Sequence, residues 1–213
     1  MSGATPLETS PARGADPASP EALALAARTG SAAAFEALVA RFEAPLYRFL
    51  FLRTRDEGLA QDLTQEAFLR AWQNLERYDP RWRFSTWLFT VAERLCISQR
   101  RARGKDPAVA SHEPELHAAG AEPDPLASAA ERDEGRALWE TAVRVLRPEE
   151  RSALWLRYAE DLSMEEIGTI LGRPTVTVRV ILFRARGRLA QALDGRPAGA
   201  GAPLTAKHLG GLG

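Results

Sequence analysis

The segment Tyr78-Asp79-Pro80-Arg81-Trp82-Arg83-Phe84-Ser85-Thr86-Trp87 interleaves aromatic rings with arginines. Flat rings stack on unpaired bases at about 1–3 kcal/mol per base while guanidinium groups hold the backbone, so this composition suits melted single-stranded DNA. Trp87 falls on an apolar stripe and reads as core, whereas Trp82, flanked by Arg81 and Arg83, fits either role. A second constellation begins at Ser163. Ser163 with Glu166 three residues on is a capping box, Ile167, Ile170 and Leu171 form one buried face, Gly172 permits a left-handed turn, and Pro174 opens the next element. A short helix, a tight glycine turn and a longer arginine-bearing helix make a helix-turn-helix, whose second helix enters a major groove. An ordinary helical hairpin with a solvated arginine face is the competing reading.

On that second helix Arg179, Arg184, Arg186 and Arg188 are the cations. At 100° per residue Arg179 and Arg186 share a face, and Val178, Ile181, Leu182, Leu189 and Leu193 run along a buried stripe. The first turn offers Thr175, Thr177 and Arg179 to base edges, so phosphate attachment is better provided for than base reading. Enzyme chemistry finds little support. The three histidines, His112, His117 and His208, fall outside the periodic blocks, Cys96 lies on or beside an apolar helix face, and no phosphate-binding glycine loop is present. We therefore expect no catalytic residue, no cofactor, no metal and no small-molecule substrate.

The elements that must position these groups are helical. Leu38, Phe42, Leu46, Phe49 and Leu50 recur at three- and four-residue intervals, as do Leu59, Leu63, Phe68, Leu69, Trp72 and Leu75. Asp56 is a plausible N-cap, Asp79-Pro80 a stop signal, and a further helix opens near Ser85 carrying Trp87, Leu88, Val91, Leu95 and Cys96 on one face. Helices are expected at about 134–146, 149–159, 163–171 and 175–193. Alternation and β-branched runs are absent, so the fold class is all-α with no sheet. Residues 1–20 and about 104–130 are rich in Pro, Gly, Ser and Ala and read as a tail and a linker, and residues 195–213, with Leu204, Leu209 and Leu212, as a second flexible tail. Two compact blocks, 21–103 and 131–194, remain.

Across 213 residues, 28 basic groups cancel 28 acidic ones, which excludes a uniformly basic nucleic-acid coater. Placement matters more: residues 1–76 carry net −3, 77–105 net +6, 106–150 net −7 and 151–213 net +4. Two basic blocks are thus separated by an acidic one, and a local positive field attracts phosphate over a Debye length of about 8 Å whatever the total. Only two of the basic residues, Lys105 and Lys207, are lysine, which a GC-rich genome explains as well as binding does. One cysteine forms no internal disulfide, and the sequence shows neither a signal peptide nor an apolar run long enough to span a bilayer. We expect a cytoplasmic protein without membrane insertion.

Asp62-Leu63-Thr64-Gln65-Glu66-Ala67-Phe68-Leu69-Arg70-Ala71-Trp72 closely resembles the polymerase-docking segment of bacterial sigma factors. The segment from Phe84 to Arg103 resembles their promoter-opening, minus-ten-reading helix. Leu146-Arg147-Pro148-Glu149-Glu150-Arg151 through Leu193, with Leu156-Arg157-Tyr158 and Phe183-Arg184-Ala185-Arg186, resembles their carboxy-terminal domain. With two domains and a short linker, the match is to the extracytoplasmic-function (ECF) group of the sigma-70 family. The resemblance implies a sigma region 2 bundle over 21–103 and a region 4 helix-turn-helix over 131–194. It also implies a non-enzymatic subunit that binds core RNA polymerase, recognises promoter DNA and is held by an anti-sigma factor.

Carried over residue by residue, Asp62, Gln65, Glu66, Leu69 and Trp72 would dock polymerase. Arg81, Trp82, Arg83, Arg94, Ser98 and Arg101 would meet minus-ten DNA. Ser163, Thr175, Thr177, Arg179, Arg184 and Arg186 would meet minus-thirty-five DNA. The chain departs from the family where Arg94 and Ser98 replace an often-seen Asn and Asp, where Glu93 replaces a basic residue, and where Val176, Val180 and Ile181 replace mostly polar ones. Losing polar groups at Val180 and Ile181 would remove two contacts from the reading helix. Two alternatives follow: a stand-alone helix-turn-helix regulator, and a polymerase-docking decoy with impaired promoter reading.

Overall fold

Ser19 and Pro20, assigned to the tail by composition, begin the first helix: the Ser19 hydroxyl accepts from the Ala22 amide at 3.2 Å, and Pro20 takes the first helical position. The structure, a computed structural model, describes residues 18–104 and 138–194 together with Asp16; the expected tails and linker lie almost wholly outside them. Helix α1 (Pro20–Arg28) is followed by α2 (Ala32–Thr54), α3 (Glu57–Gln73), a single 3₁₀ turn (Leu75–Arg77) and α4 (Phe84–Arg103). After the undescribed stretch come α5, helical over residues 138–145, then α6 (Pro148–Tyr158), α7 (Met164–Leu171) and α8 (Thr175–Asp194). No strand occurs among the described residues.

Local signals explain most boundaries. The Ser31 hydroxyl caps α2, and the Asp56 carboxylate caps α3 by accepting from the Leu59 amide at 2.9 Å. Between them Arg55 takes a left-handed conformation (φ 56°) that turns the chain sharply from α2 into α3. Helix α4 has no cap from its own preceding residue; instead Glu21, on α1, accepts from the Phe84 amide at 2.9 Å. An acidic group at a helix start also complements the helix dipole.

Helices α1 to α4 close over Leu38, Phe42, Leu46, Phe49, Leu88 and Phe89, with ring pairs Phe42–Phe84 at 5.6 Å and Phe49–Phe89 at 5.2 Å. Helices α5 to α8 close over Leu154, Leu156, Leu162, Ile167, Val178, Leu182 and Leu189. Each such fully buried side chain contributes about 1.5–3 kcal/mol. The two clusters are continuous, because α6 packs on α2 and α7 on α4. Leu193, expected on the buried stripe, is 47% exposed near the end of α8, where no described helix covers it.

Candidate functional site

On α3 the five residues assigned to polymerase docking fall within an arc of about 120°. Asp62, Gln65, Leu69 and Trp72 are exposed, and Glu66 is half-buried. Glu66 accepts from Arg70 at 2.6 Å, so the expected repulsion between Asp62 and Glu66 is relieved within the helix itself. Trp72 leans on Phe35 with ring centroids 4.8 Å apart, which fixes one face of the indole and leaves the other outward. The result is a rigid strip of exposed leucine and tryptophan beside carboxylate and amide groups.

The arginine–aromatic segment is a closed loop. Tyr78, itself buried, donates its hydroxyl to the Trp82 carbonyl at 2.8 Å and packs its ring on Phe84 and Trp87, both at 5.5 Å. Burial first, then nearby Glu21 and Asp79, push the Tyr78 phenol well above its ordinary range, so the hydroxyl remains a donor. Trp82 is 57% exposed, while Trp87 is packed among the aromatics as expected. Arg81 is tied to Asp79 by a forked pair at 2.6–3.1 Å, which lowers the Asp79 carboxyl. Trp82 and Arg94, with Arg70, Arg77 and Trp87, line one cleft of about 520 Å³. Ser98 and Arg101 are exposed and follow Arg94 along the same helix face.

Arg83 is placed differently. It donates to the Asp161 carbonyl at 3.2 Å and lies 4.0 Å from the Glu166 carboxylate, so it faces the second half of the chain. Glu166 also accepts from the Thr86 hydroxyl at 3.1 Å, and Thr169 on α7 closes one wall of the cleft. Sequence reading misses these contacts, because they join residues about 80 apart that no local pattern relates.

Another missed group is Glu93, which stands where the family often carries a basic residue. It is buried and paired with Arg53, so it belongs to the interior rather than to a DNA surface. Burial raises its carboxyl despite the pull of Arg53. Burial also pushes the Cys96 thiol up to about 12, leaving almost no thiolate at neutral pH.

The helix-turn-helix is formed as the sequence predicts. The Ser163 hydroxyl accepts from the Glu166 amide at 3.2 Å while the Glu166 carboxylate accepts from the Ser163 amide at 2.8 Å, and Gly172 (φ 63°) makes the left-handed turn. The Ser163 side chain is thus committed to its cap. On α8, Arg179 and Arg184 are exposed, Thr175 and Thr177 half-buried, and Arg186 is drawn to the Tyr158 hydroxyl at 3.4 Å. Ile181 packs against the core, as its place on the buried stripe predicts, so its departure from the family's polar residue removes no outward group here; Val176, Val180, Phe183 and, near the helix end, Leu193 are the apolar groups that face outward.

Comparison with known proteins agrees with this fold. The chain matches Sigma-70 region 2 over residues 38–106 and Sigma-70, region 4 over residues 136–189. It is 32% identical over 171 residues to the RNA polymerase sigma-H factor of Pseudomonas aeruginosa, covering 78% of this chain and 89% of that one. It is 30% identical over 184 residues to the ECF RNA polymerase sigma factor BldN of Streptomyces coelicolor, covering 86% and 69%. Among solved structures it shares its fold with RpoE in complex with the anti-sigma factor NepR from Bartonella quintana (TM-score 0.59, 23% identity, 75% and 96% covered). It also shares it with CnrH in complex with the cytosolic domain of CnrY (TM-score 0.58, 24% identity, 83% and 98% covered). The chain belongs to the ECF group of the sigma-70 family and serves promoter-directed initiation of transcription.

Proposed function

We propose that the chain joins core RNA polymerase to promoter DNA through three separate surfaces. Region 2, over 21–103, docks polymerase with Asp62, Gln65, Glu66, Leu69 and Trp72 and meets the minus-ten strand with Arg81, Trp82, Arg83, Arg94, Ser98 and Arg101. Region 4, over 131–194, meets the minus-thirty-five duplex through Thr175, Thr177, Arg179 and Arg184, with Ser163 and Arg186 supporting the helix ends. The observation that carries this reading is the α3 strip: Leu69 is 51% and Trp72 43% exposed beside two exposed polar groups, on a helix whose other face is fully packed. Exposed aromatic anchors with a polar rim are what a protein partner buries.

The chain acts without a reaction of its own, and its site of action is the cytoplasm, where polymerase works; no described helix is long and apolar enough to cross a membrane. The NepR and CnrY complexes of its structural relatives support an anti-sigma factor as a further partner. In the closed arrangement α7 covers the first turn of α4, so Thr86 is only 2% exposed, and promoter engagement by this reading requires the halves to part.

Binding of the purified chain to core polymerase tests the proposal. Asp62→Ala and Gln65→Ala together should weaken that binding about tenfold, about 1.4 kcal/mol, and lower run-off transcription with an unchanged circular dichroism spectrum. Unchanged affinity would remove the α3 strip from the docking surface. Tight promoter binding without core enzyme would favour the stand-alone regulator instead.

A further inference from the structure

Along α8, Val176 is 70%, Val180 42% and Phe183 72% exposed. At 100° per residue these three and Gly187 fall within about 60° of one another, and Arg179 and Arg184 flank the line about 70° to either side. A Cβ at Gly187 would meet no atom within 4 Å, so the line stays open toward the end of the helix. Arg179 and Arg184 make no ion pair among the described residues. The helix therefore presents an apolar ridge flanked by two exposed cations.

We propose that Val176, Val180 and Phe183 read thymine 5-methyl groups, so that the upstream promoter element of this factor is specified by methyl contact along its centre. The proposal rests on the reading of α8 as the helix that enters the major groove. In that groove every base edge presents donors or acceptors, and the only apolar group is the methyl of thymine. Valine and phenylalanine over a G·C pair would leave those polar atoms dehydrated and unpaired, whereas over a thymine methyl they bury apolar surface on both sides. Arg179 and Arg184 are placed to hold the phosphates on the two walls of the groove.

Charge complementarity also selects the occupant. Residues 195–213, which follow α8 in the sequence, contain Arg196 and Lys207 and no acidic residue. The two flanking arginines oppose such a segment and favour a polyanion; the chain's own acidic stretch 106–150 is the competing occupant, and a Val180→Ala loss equal on both duplexes would reveal it.

The test uses holoenzyme reconstituted from core polymerase and the full chain, with an upstream element obtained by selection from randomised duplexes. Each thymine in it is then replaced singly by deoxyuridine, which deletes the methyl and keeps the base pair. Affinity should fall about fourfold for each methyl under the ridge, the equivalent of ~0.8 kcal/mol per buried methylene-sized group. Val180→Ala, an exposed substitution that leaves the core intact, should abolish the deoxyuridine penalty at one position and spare the others. A selected element without thymines, or deoxyuridine duplexes that bind like the parent, would overturn the proposal. So would a Val180→Ala loss that is equal on both duplexes, which would mark the ridge as a seat for protein. Arg179→Ala with Arg184→Ala separates the two levels: if this pair leaves promoter affinity unchanged, α8 does not enter the groove and the underlying reading fails as well. If the pair weakens binding while deoxyuridine has no effect, only the methyl reader falls.

Discussion

Glu160 ends the turn after α6 with its carboxyl partly buried against the first half of the chain. Burial raises it to about 7, more than Arg83 and Arg48 lower it. The native state therefore holds a proton that the unfolded chain releases near its ordinary value of 4.5. The sign follows from proton counting: between about pH 4.5 and 7 the folded chain binds more protons, so stability from this group is full at low pH and falls as pH rises through 7. Urea unfolding at pH 5 and pH 8 should show a decline of about 2–3 kcal/mol in the parent, and Glu160→Gln should flatten it and raise stability at pH 8. A decline unaltered by Glu160→Gln would assign it to another group. Arg48, which lies 5.9 Å over the Trp155 ring, and Arg83 face Glu160 from α2 and from the loop before α4, so its titration reports on the contact between the halves.

At the scale of elements, the turn between α7 and α8 is tightly closed. An added Cβ at Gly168 would lie 2.6 Å from the Arg173 carbonyl, and that carbonyl is main chain that cannot swing away. The same Gly168 supplies the carbonyl that accepts from the Arg173 amide at 2.8 Å, closing the turn. Gly168→Ala should therefore cost about 1–3 kcal/mol by thermal unfolding and weaken DNA binding more than polymerase binding, because α8 is re-aimed while α3 is untouched. Much of this was legible in the sequence. The Asp56 cap, the Ser163–Glu166 box and the Gly172 turn are written in neighbouring residues, and the structure reproduces each. What was not legible depends on partners brought from far along the chain. Glu21 caps α4 across 63 residues, and Glu93 pairs in the interior with Arg53 across 40. The 100° count places Ile181 correctly on the buried stripe but also puts Leu193 there, because it cannot tell where along α8 the covering helices stop.

Over the whole molecule, one buried cation links the halves. Arg151, 2% exposed, donates to the Val143 carbonyl at 2.9 Å, the Leu146 carbonyl at 3.2 Å and, across the boundary, the Leu52 carbonyl at 2.9 Å. Burial, reinforced by Arg55 and Arg53, lowers its guanidinium to about 10, so it stays charged at neutral pH. Because the core is continuous, thermal unfolding of the parent should be a single cooperative transition. Arg151→Ala leaves main-chain acceptors unpaired in the interior, at about 1–3 kcal/mol each, and should split the transition in two, with the half containing α5 to α8 melting first. A single unshifted transition in differential scanning calorimetry would deny Arg151 that part.

The bond from Arg151 to Leu52 also has a history, since 99 residues separate its two ends. At synthesis rates of roughly 5–20 residues per second, Leu52 is made about 5–20 s before the residue that will hold it. Through that interval the newborn chain carries its α3 strip but has nothing to close against α2. A polymerase or a chaperone that meets it then finds the open form by default. The order of translation, as well as the final equilibrium, thus decides which partner α2 meets first.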